Sequence, residues 1–426
     1  MCDSIVVVKP GEPVWVGKNS DREPDEVQVV DRVPAAAHDE GSSLHTTHIV
    51  IPEARATQEV ILSRPRWMWG CEMGVNARGV AIANEAVFVR LPLAPEGLTG
   101  MDLQRLALER AGSAADAVEV IIDLLGRFPQ GGRMGFRNHG MRYASSFIVA
   151  DAAEAWILET AGELWAAQKV VGVRTISNVL TIDDDFDRIH PQAYAVARAR
   201  GYCQRLADFG FARCFASRFY RAMTGGEARR GCTRELLSIF AASGAVSAGA
   251  MATVLRDHGG VGPQGGLRMV MPCAHASWLP TRASGQTTAS MIACLDQAAG
   301  PRVWMTGTSS PCLSVFKPVG FGHDALRGLP QPGDVPDGES LWWRHERLHR
   351  VVLADYDRRR AAFEAERARL EAEAWSSEAG DAAAVTGIWE AHRQALPGWL
   401  EAAAAAGRPR HRPFHGFWAR KARQAG

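Results

Sequence analysis

The sequence predicts an α+β fold. Short β-branched runs crowd residues 3–90, recur over 145–182 and return over 268–318. Helical periodicity fills the intervals 99–128 and 190–258. Within 145–182 the runs lie so close together that they predict antiparallel hairpins, with the paired helices of 99–128 lying as a layer on a sheet.

In chain order, Cys2 follows the initiator methionine and opens the run Ile5–Val8. Residues Val14–Val16 form a second short strand that ends in the polar turn Gly17-Lys-Asn-Ser-Asp-Arg22. Strand, turn and strand make a hairpin that returns Lys18 and Asp21 to the side of Cys2. Removal of Met1 would place a free α-amine and a thiol on one residue. The amine, with a pKa of ~7.7–8.0, is a base at neutral pH, and the thiol is a nucleophile. Lys18 would lower the thiol pKa and Asp21 would orient the amine. Alone, a cysteine at position 2 is more often an inert small hydrophobe.

Next come the runs at 27–30, 46–51 and 58–62, then Arg64-Pro-Arg-Trp-Met-Trp-Gly-Cys-Glu-Met-Gly-Val-Asn76. The clustered Trp67, Trp69 and Met73 read equally as a pocket wall or as a loop pinned by its aromatics. Gly79–Phe88 is an apolar strand interrupted by Asn84 and Glu85, a polar pair that needs partners or a role. Trp67, Trp69, Met73 and Glu85 are the candidates for substrate contact. Thr99-x-x-Asp102 and Ser113-x-x-Asp116 mark two helix starts. Four strand runs follow between Ser146 and Ile182, the last of which carries Asn178. Its amide suits an oxyanion hole, or bonds neighbouring backbone. Over 268–318, Cys273-x-His275 has no second pair at ligand spacing, so these are read as pocket or core residues and no metal is assigned. A long charged helix with an apolar stripe is expected over 339–374, able to dock or self-associate into a homo-oligomer, and a basic tail closes the chain.

At 426 residues the chain makes one large domain or one domain with an appendage. A net charge of +1 leaves no global field to draw nucleic acid or an anionic membrane. Eight scattered cysteines and no recognisable leader indicate reduced thiols and a cytoplasmic setting, and no run approaches the ~18–20 apolar residues of a membrane span.

Taken in order, several blocks resemble the secernin-type dipeptidase family, in the cysteine branch of the N-terminal nucleophile hydrolases. They are Met-Cys-Asp3, Gly17–Arg22, Ser63–Gly74, Gly79–Val87, Gly100–Leu103, Ala155–Gly162, Ile176–Asn178, Thr287–Met291 and Gly307-Thr…Phe316-Lys-Pro318. The resemblance, which runs from Cys2 to about Arg350, implies a four-layer αββα sandwich, placed over residues 2–338; a helical extension over 339–406 and a flexible basic tail over 407–426 are expected beyond it. It also implies hydrolysis of a small peptide, a dipeptide by family habit, without cofactor. More distantly, the start is similar to the penicillin V acylase and choloylglycine hydrolase group. That likeness implies catalytic roles for Cys2, Lys18 (usually Arg there) and Asp21, and oxyanion or amine-orienting roles for Asn84 and Asn178. The group's further arginine finds no anchor between Asn178 and Arg268. An N-acyl amino acid or other small amide is an alternative substrate. A non-catalytic binding protein and a redox-sensing Cys2 are the rival readings.

Overall fold

The computed structural model describes residues 1–283, 285–407 and 413–424. Two antiparallel sheets form its centre. The first runs Gly172–Ile176, Cys2–Val8, Val14–Arg22, Gln286–Asp296, Gly300–Met305, Lys317–Val319 in spatial order. The second runs Arg188–Ile189, Leu164–Lys169, Ala155–Ala161, Ala144–Ala150, Ala81–Val87, Met73–Asn76, Val60–Pro65, Gln28–Val33.

Period-two alternation explains the layering. Val6, Val16, Met291 and Met305 of the first sheet meet Met73, Val75, Ala81 and Ile148 of the second in one buried cluster. The opposite face of the second sheet, with Ile82, Phe147 and Leu158, packs on the helices Gly100–Arg110 and Ala114–Arg127. The opposite face of the first, with Ile5, Val7 and Ile292, packs on the helices Gly226–Ala242 and Ala248–Leu255. The result is an α+β sandwich of four layers, αββα. Thr99 caps its helix in a reciprocal capping box with Asp102, as expected; Ser113 caps the next helix through the Asp116 amide.

Two departures from the sequence reading matter. The strand Gly172–Ile176 does not continue the meander. It leaves the second sheet at Gly172, whose φ of 72° a side chain would resist, and pairs with Cys2–Val8 in the first, Ser4 opposite Ile176. That switch carries Ser177 and Asn178 to the side of Cys2. The expected long helix over 339–374 is three helices, Leu341–Val352, Tyr356–Ala361 and Glu364–Ser376. The breaks let Leu353, Tyr356 and Phe363 all reach the core.

A further helix, Ala382–Ala405, adds Trp389 and Trp399 to the core cluster that the two sheets share. The tail, expected to be flexible, holds a helix over Pro413–Gln424 with Phe414 and Trp418 buried in that cluster. Burial of two aromatics compensates the ordering cost that its basic composition suggested it could not meet. Among the described residues no helix is long and apolar enough to cross a membrane.

Candidate active site

The hairpin Cys2–Arg22 sets the site. Its register places Cys2 opposite Ser20 and Ser4 opposite Lys18. The next strand pairs Thr287 with Asp21 and Ala289 with Ser20, so a bulge at Thr288 interrupts the ladder beside the site. Bulges re-aim side chains in this way. Thr287 Oγ1 donates to Asp21 Oδ1 at 2.7 Å.

Cys2 is 4 % exposed and forms part of the floor of a cavity of about 240 Å³. Its thiol accepts from the Asp21 amide at 3.3 Å and lies 3.8 Å from Glu72 Oε2. The Cys2 nitrogen donates to Asn178 Oδ1 at 2.8 Å. The Met1 ammonium donates to the Asp21 carbonyl at 3.0 Å, also within the cavity.

Beneath the thiol lies a buried charge group. Lys18 Nζ donates to the Asn84 carbonyl at 2.5 Å and sits 3.5 Å from Glu85 and 3.8 Å from Glu72. Burial alone would strip the Lys18 proton, but Cys2, Glu85 and Glu72 hold its pKa above the ordinary value. Glu85, which also accepts from Ser4 Oγ, is pushed up to about 8 by burial against the pull of Lys18. Burial pushes the Cys2 thiol up to about 12 despite Lys18. With Met1 attached, therefore, the sulfur is a protonated thiol and needs a base to become a nucleophile.

Arg229, fully buried, lies in the stretch between Asn178 and Arg268 where the sequence reading found no anchor for an arginine. Its Nη2 donates to Asn178 Oδ1 at 2.6 Å and to Ser177 Oγ at 3.0 Å, and its other nitrogens face Asp3 at 3.5 Å and Asp21 at 3.7 Å. Burial pushes Asp3 up to about 7 against the pull of Arg229, and Asp21 shifts the same way, opposed by the Met1 ammonium and Arg229. The one local signal for Arg229 is the pair Gly225-Gly226 that precedes it. Gly225 has φ of 65°, and a Cβ on Gly226 would meet the Asn178 nitrogen at 3.2 Å. Two glycines thus let a helix begin against Asn178, and Arg229 follows one turn later.

Cys2, Lys18, Asp21, Asn84 and Asn178 therefore come together, but two do so in unexpected ways. Asn178 turns its oxygen toward Cys2 and Arg229 and donates Nδ2 to the Ala86 carbonyl at 2.8 Å. Asn84 donates Nδ2 to the Cys71 carbonyl at 3.3 Å and reaches Lys18 only through its backbone. Each side chain thus spends one Nδ2 N–H on a backbone carbonyl.

The four candidates for substrate contact are corrected. Trp67, Trp69, Met73 and Glu85 do not line the cavity. Met73 points into the core between the sheets, and Glu85 lies below Lys18. Trp69 packs toward the helical layer under Arg105, 4.1 Å from its ring. Trp67 acts from behind, donating to Glu26 at 2.8 Å. The apolar wall instead includes Phe88, Met134, Met141, Tyr143, Tyr220 and Met223. Phe88 and Tyr220 stack with ring centroids 4.1 Å apart. The polar wall carries Glu23, Glu26 and Glu72 against Arg22, which binds Glu26 at 2.6 Å and Glu72 at 3.3 Å.

The reading of Cys273 and His275 as lacking partner ligands is also corrected. His258, from earlier in the same connecting segment, and Cys312, from the segment after Gly300–Met305, join them, and one ligand atom from each of the four lies within 4.8 Å of the others. No pair spacing finds this set, because two segments separated by two strands supply it.

No family model matches the chain. In fold it is similar to several solved structures. The C2A mutant of conjugated bile acid hydrolase from Clostridium perfringens is 12 % identical, with 72 % of this chain and 88 % of that one covered and a TM-score of 0.43. Penicillin V acylase from Agrobacterium tumefaciens is 12 % identical, with 75 % and 86 % covered and a TM-score of 0.42. The Caenorhabditis elegans ortholog of N-acylethanolamine-hydrolyzing acid amidase is 11 % identical, with 70 % and 95 % covered and a TM-score of 0.35.

Proposed function

We propose that the protein hydrolyses a small amide with Cys2 as an N-terminal nucleophile, after loss of Met1. One observation carries this reading. Cys2 lines the cavity, and its nitrogen is held by Asn178 Oδ1, itself fixed by Arg229. Once Met1 is gone, that nitrogen is a primary amine beside a thiol that needs a base.

In the proposed reaction the α-amine takes the thiol proton. The sulfur bonds to the substrate carbonyl carbon as the carbonyl electron pair moves onto oxygen. Collapse breaks the C–N bond, and the amine's proton goes to the leaving nitrogen. Water, deprotonated by the same amine, then cleaves the thioester, and the proton returns to sulfur. Asp21 orients the amine, and Lys18 offsets negative charge near the sulfur. With Asn84 and Asn178 engaged elsewhere, the Tyr143 hydroxyl is the oxyanion donor we assign. It lines the cavity, accepts from Arg22 at 2.9 Å, and has only the Met101 sulfur, 3.8 Å away, as its own acceptor.

For the substrate we propose an unblocked dipeptide, as in a secernin-type dipeptidase. Three carboxylates against one guanidinium on the polar wall favour a substrate ammonium, and the methionine and aromatic wall suits an apolar side chain. An N-acyl amino acid carries the same carboxylate as a dipeptide but lacks the ammonium that this wall would hold.

Intact mass after treatment with a thiol-acylating probe tests the nucleophile. The expected result is loss of Met1 and one adduct, on Cys2. Unblocked dipeptides are then compared with their N-acetylated forms. Cleavage of the former alone supports the dipeptidase reading; cleavage of the latter alone moves the substrate to N-acyl amides. Hydrolysis that persists in Cys2→Ala overturns Cys2 as the nucleophile, and hydrolysis of no amide by a chain that has lost Met1 leaves a binding protein.

A further inference from the structure

We infer that His258, Cys273, His275 and Cys312 form a structural zinc site, of Cys2His2 type, that fixes the loop lining the candidate active site. Three of its four members are buried.

Its geometry fits one tetrahedral ion. His258 Nε2 and His275 Nε2 are 3.0 Å apart, and each of Cys273 Sγ and Cys312 Sγ is 3.5 Å from His275 Nε2. Zn–N bonds of ~2.05 Å and Zn–S bonds of ~2.3 Å give tetrahedral edges of about 3.4 Å for N···N and about 3.6 Å for S···N. Both cysteines are free thiols, so no disulfide accounts for their approach.

The hydrogen-bond chain behind His275 supplies a second, independent argument. His275 Nδ1 meets His349 Nε2 at 3.2 Å, and His349 Nδ1 meets Glu346 Oε2 at 3.1 Å. Glu346 Oε2 also receives Ser309 and Gln286, and Oε1 receives Arg350. An ionised carboxylate only accepts, so a neutral His349 donates from Nδ1 and accepts at Nε2. His275 then donates from Nδ1, which leaves its Nε2 as a bare lone pair aimed into the cluster. Two thiols and the His258 ring converge on that one lone pair, which a single hydrogen bond would satisfy. A dication bound by all four satisfies the whole set. Ligating histidines are oriented by such outer partners. Two thiolates, formed by release of two protons to solvent, cancel the charge of Zn²⁺, so the buried cluster carries no net charge.

Four protein ligands close the coordination sphere, which makes the ion structural, not catalytic. It would tie Cys312, which follows the strand Gly300–Met305, to the one loop that joins the helix Ala248–Leu255 to the strand Gln286–Asp296 and carries His258, Cys273 and His275. That loop lines the cavity at Thr281 and Gly285. It also reaches Asp21, since the Ala274 amide donates to Thr287 Oγ1 at 2.9 Å and Thr287 Oγ1 donates to Asp21.

The test is the zinc content of the full chain, grown with added Zn²⁺ and purified without chelator. About one zinc per chain is expected, falling at least tenfold in the double variant Cys273→Ser/Cys312→Ser, with Cys294→Ser as an unaffected buried-thiol control. Co²⁺ in place of zinc should give a thiolate-to-metal charge-transfer band that the double variant lacks. If that variant does not fold, His258→Ala, at the partly exposed ligand, replaces it and should weaken zinc retention against a chelator at least tenfold. Wild-type protein that holds no zinc and gives no cobalt–thiolate band overturns the inference. So does a Cys273–Cys312 disulfide found by mass mapping, or zinc content equal in wild type and variants.

Discussion

Arg229 and Cys2 bind the same atom. Asn178 Oδ1 receives the guanidinium at 2.6 Å and the Cys2 nitrogen at 2.8 Å, so a residue on a helix, over two hundred positions away, sets the direction of the candidate base. The same guanidinium faces Asp3 and Asp21, which no other cation within ion-pair distance serves among the described residues. Arg229→Met should therefore act twice. Loss of the buried partner should cost ~3–5 kcal/mol of stability, read by urea unfolding. Amide hydrolysis should fall about a hundredfold or more. Asn178→Ala should separate the effects, losing comparable activity with a smaller stability cost, ~1–3 kcal/mol.

Lys18 is the buried counter-charge to Glu85 and Glu72. Above pH 8, where Glu85 is ionised, Lys18→Met should destabilise by ~3–5 kcal/mol, because two carboxylates lose their cation. Lys18→Met/Glu85→Gln should recover part of that loss in a double-mutant cycle. Thiol-probe labelling of Cys2 should slow in the single variant, whose sulfur loses its stabilising charge.

Tyr143→Phe isolates the assigned oxyanion donor. The ring and its packing remain, and Arg22 keeps its bonds to Glu26 and the Met134 carbonyl. Steady-state kinetics should show kcat lower by about 10²-fold with KM little changed. An unchanged kcat would assign the oxyanion to another donor.

Stability should fall as pH rises through neutrality. Burial raises Asp3 to about 7, Glu159 to about 7 and Glu85 to about 8. Each binds its proton more tightly in the folded chain than in the unfolded one, where carboxyl groups titrate near ~4. Their contribution is complete below that value and is lost as pH climbs through 7 and 8. Glu346 has the opposite sign: burial would raise it, but His349 and Arg350 hold it at about 2, so its contribution fades only in acid. The urea midpoint should be lower at pH 8.5 than at pH 5, and Asp3→Asn should flatten the difference.

The hairpin was legible because its register is local. Cys2, Lys18 and Asp21 lie on adjacent strands joined by one turn, so counting residues places them. Asn178 was legible as a residue but not as a contact. Its approach to Cys2 depends on a strand changing sheets at Gly172, where four close strand runs suggested a plain meander. Arg229, Tyr143 and Thr287 arrive through long-range packing, which leaves no mark in spacing. Clustered aromatics misled for a related reason. Proximity in sequence carries no direction, and alternation sends Met73 into the core while Trp67 and Trp69 turn away from the cavity. Cys273-x-His275 looked incomplete because half of its set lies elsewhere in the chain.

The closing helix has a practical side. Trp418 packs edge-on against His349 with centroids 4.9 Å apart, Phe414 lies 5.9 Å from the Arg282 guanidinium, and His415 Nδ1 is 3.1 Å from the Leu353 carbonyl. The closing helix is thus anchored in the interior at Phe414, His415 and Trp418, while at the other end of the chain Met1 lines the cavity. A fluorescent label or affinity handle fused before Met1 would press on that cavity. The exposed turn at Ser243–Ala245 offers a quieter place for one.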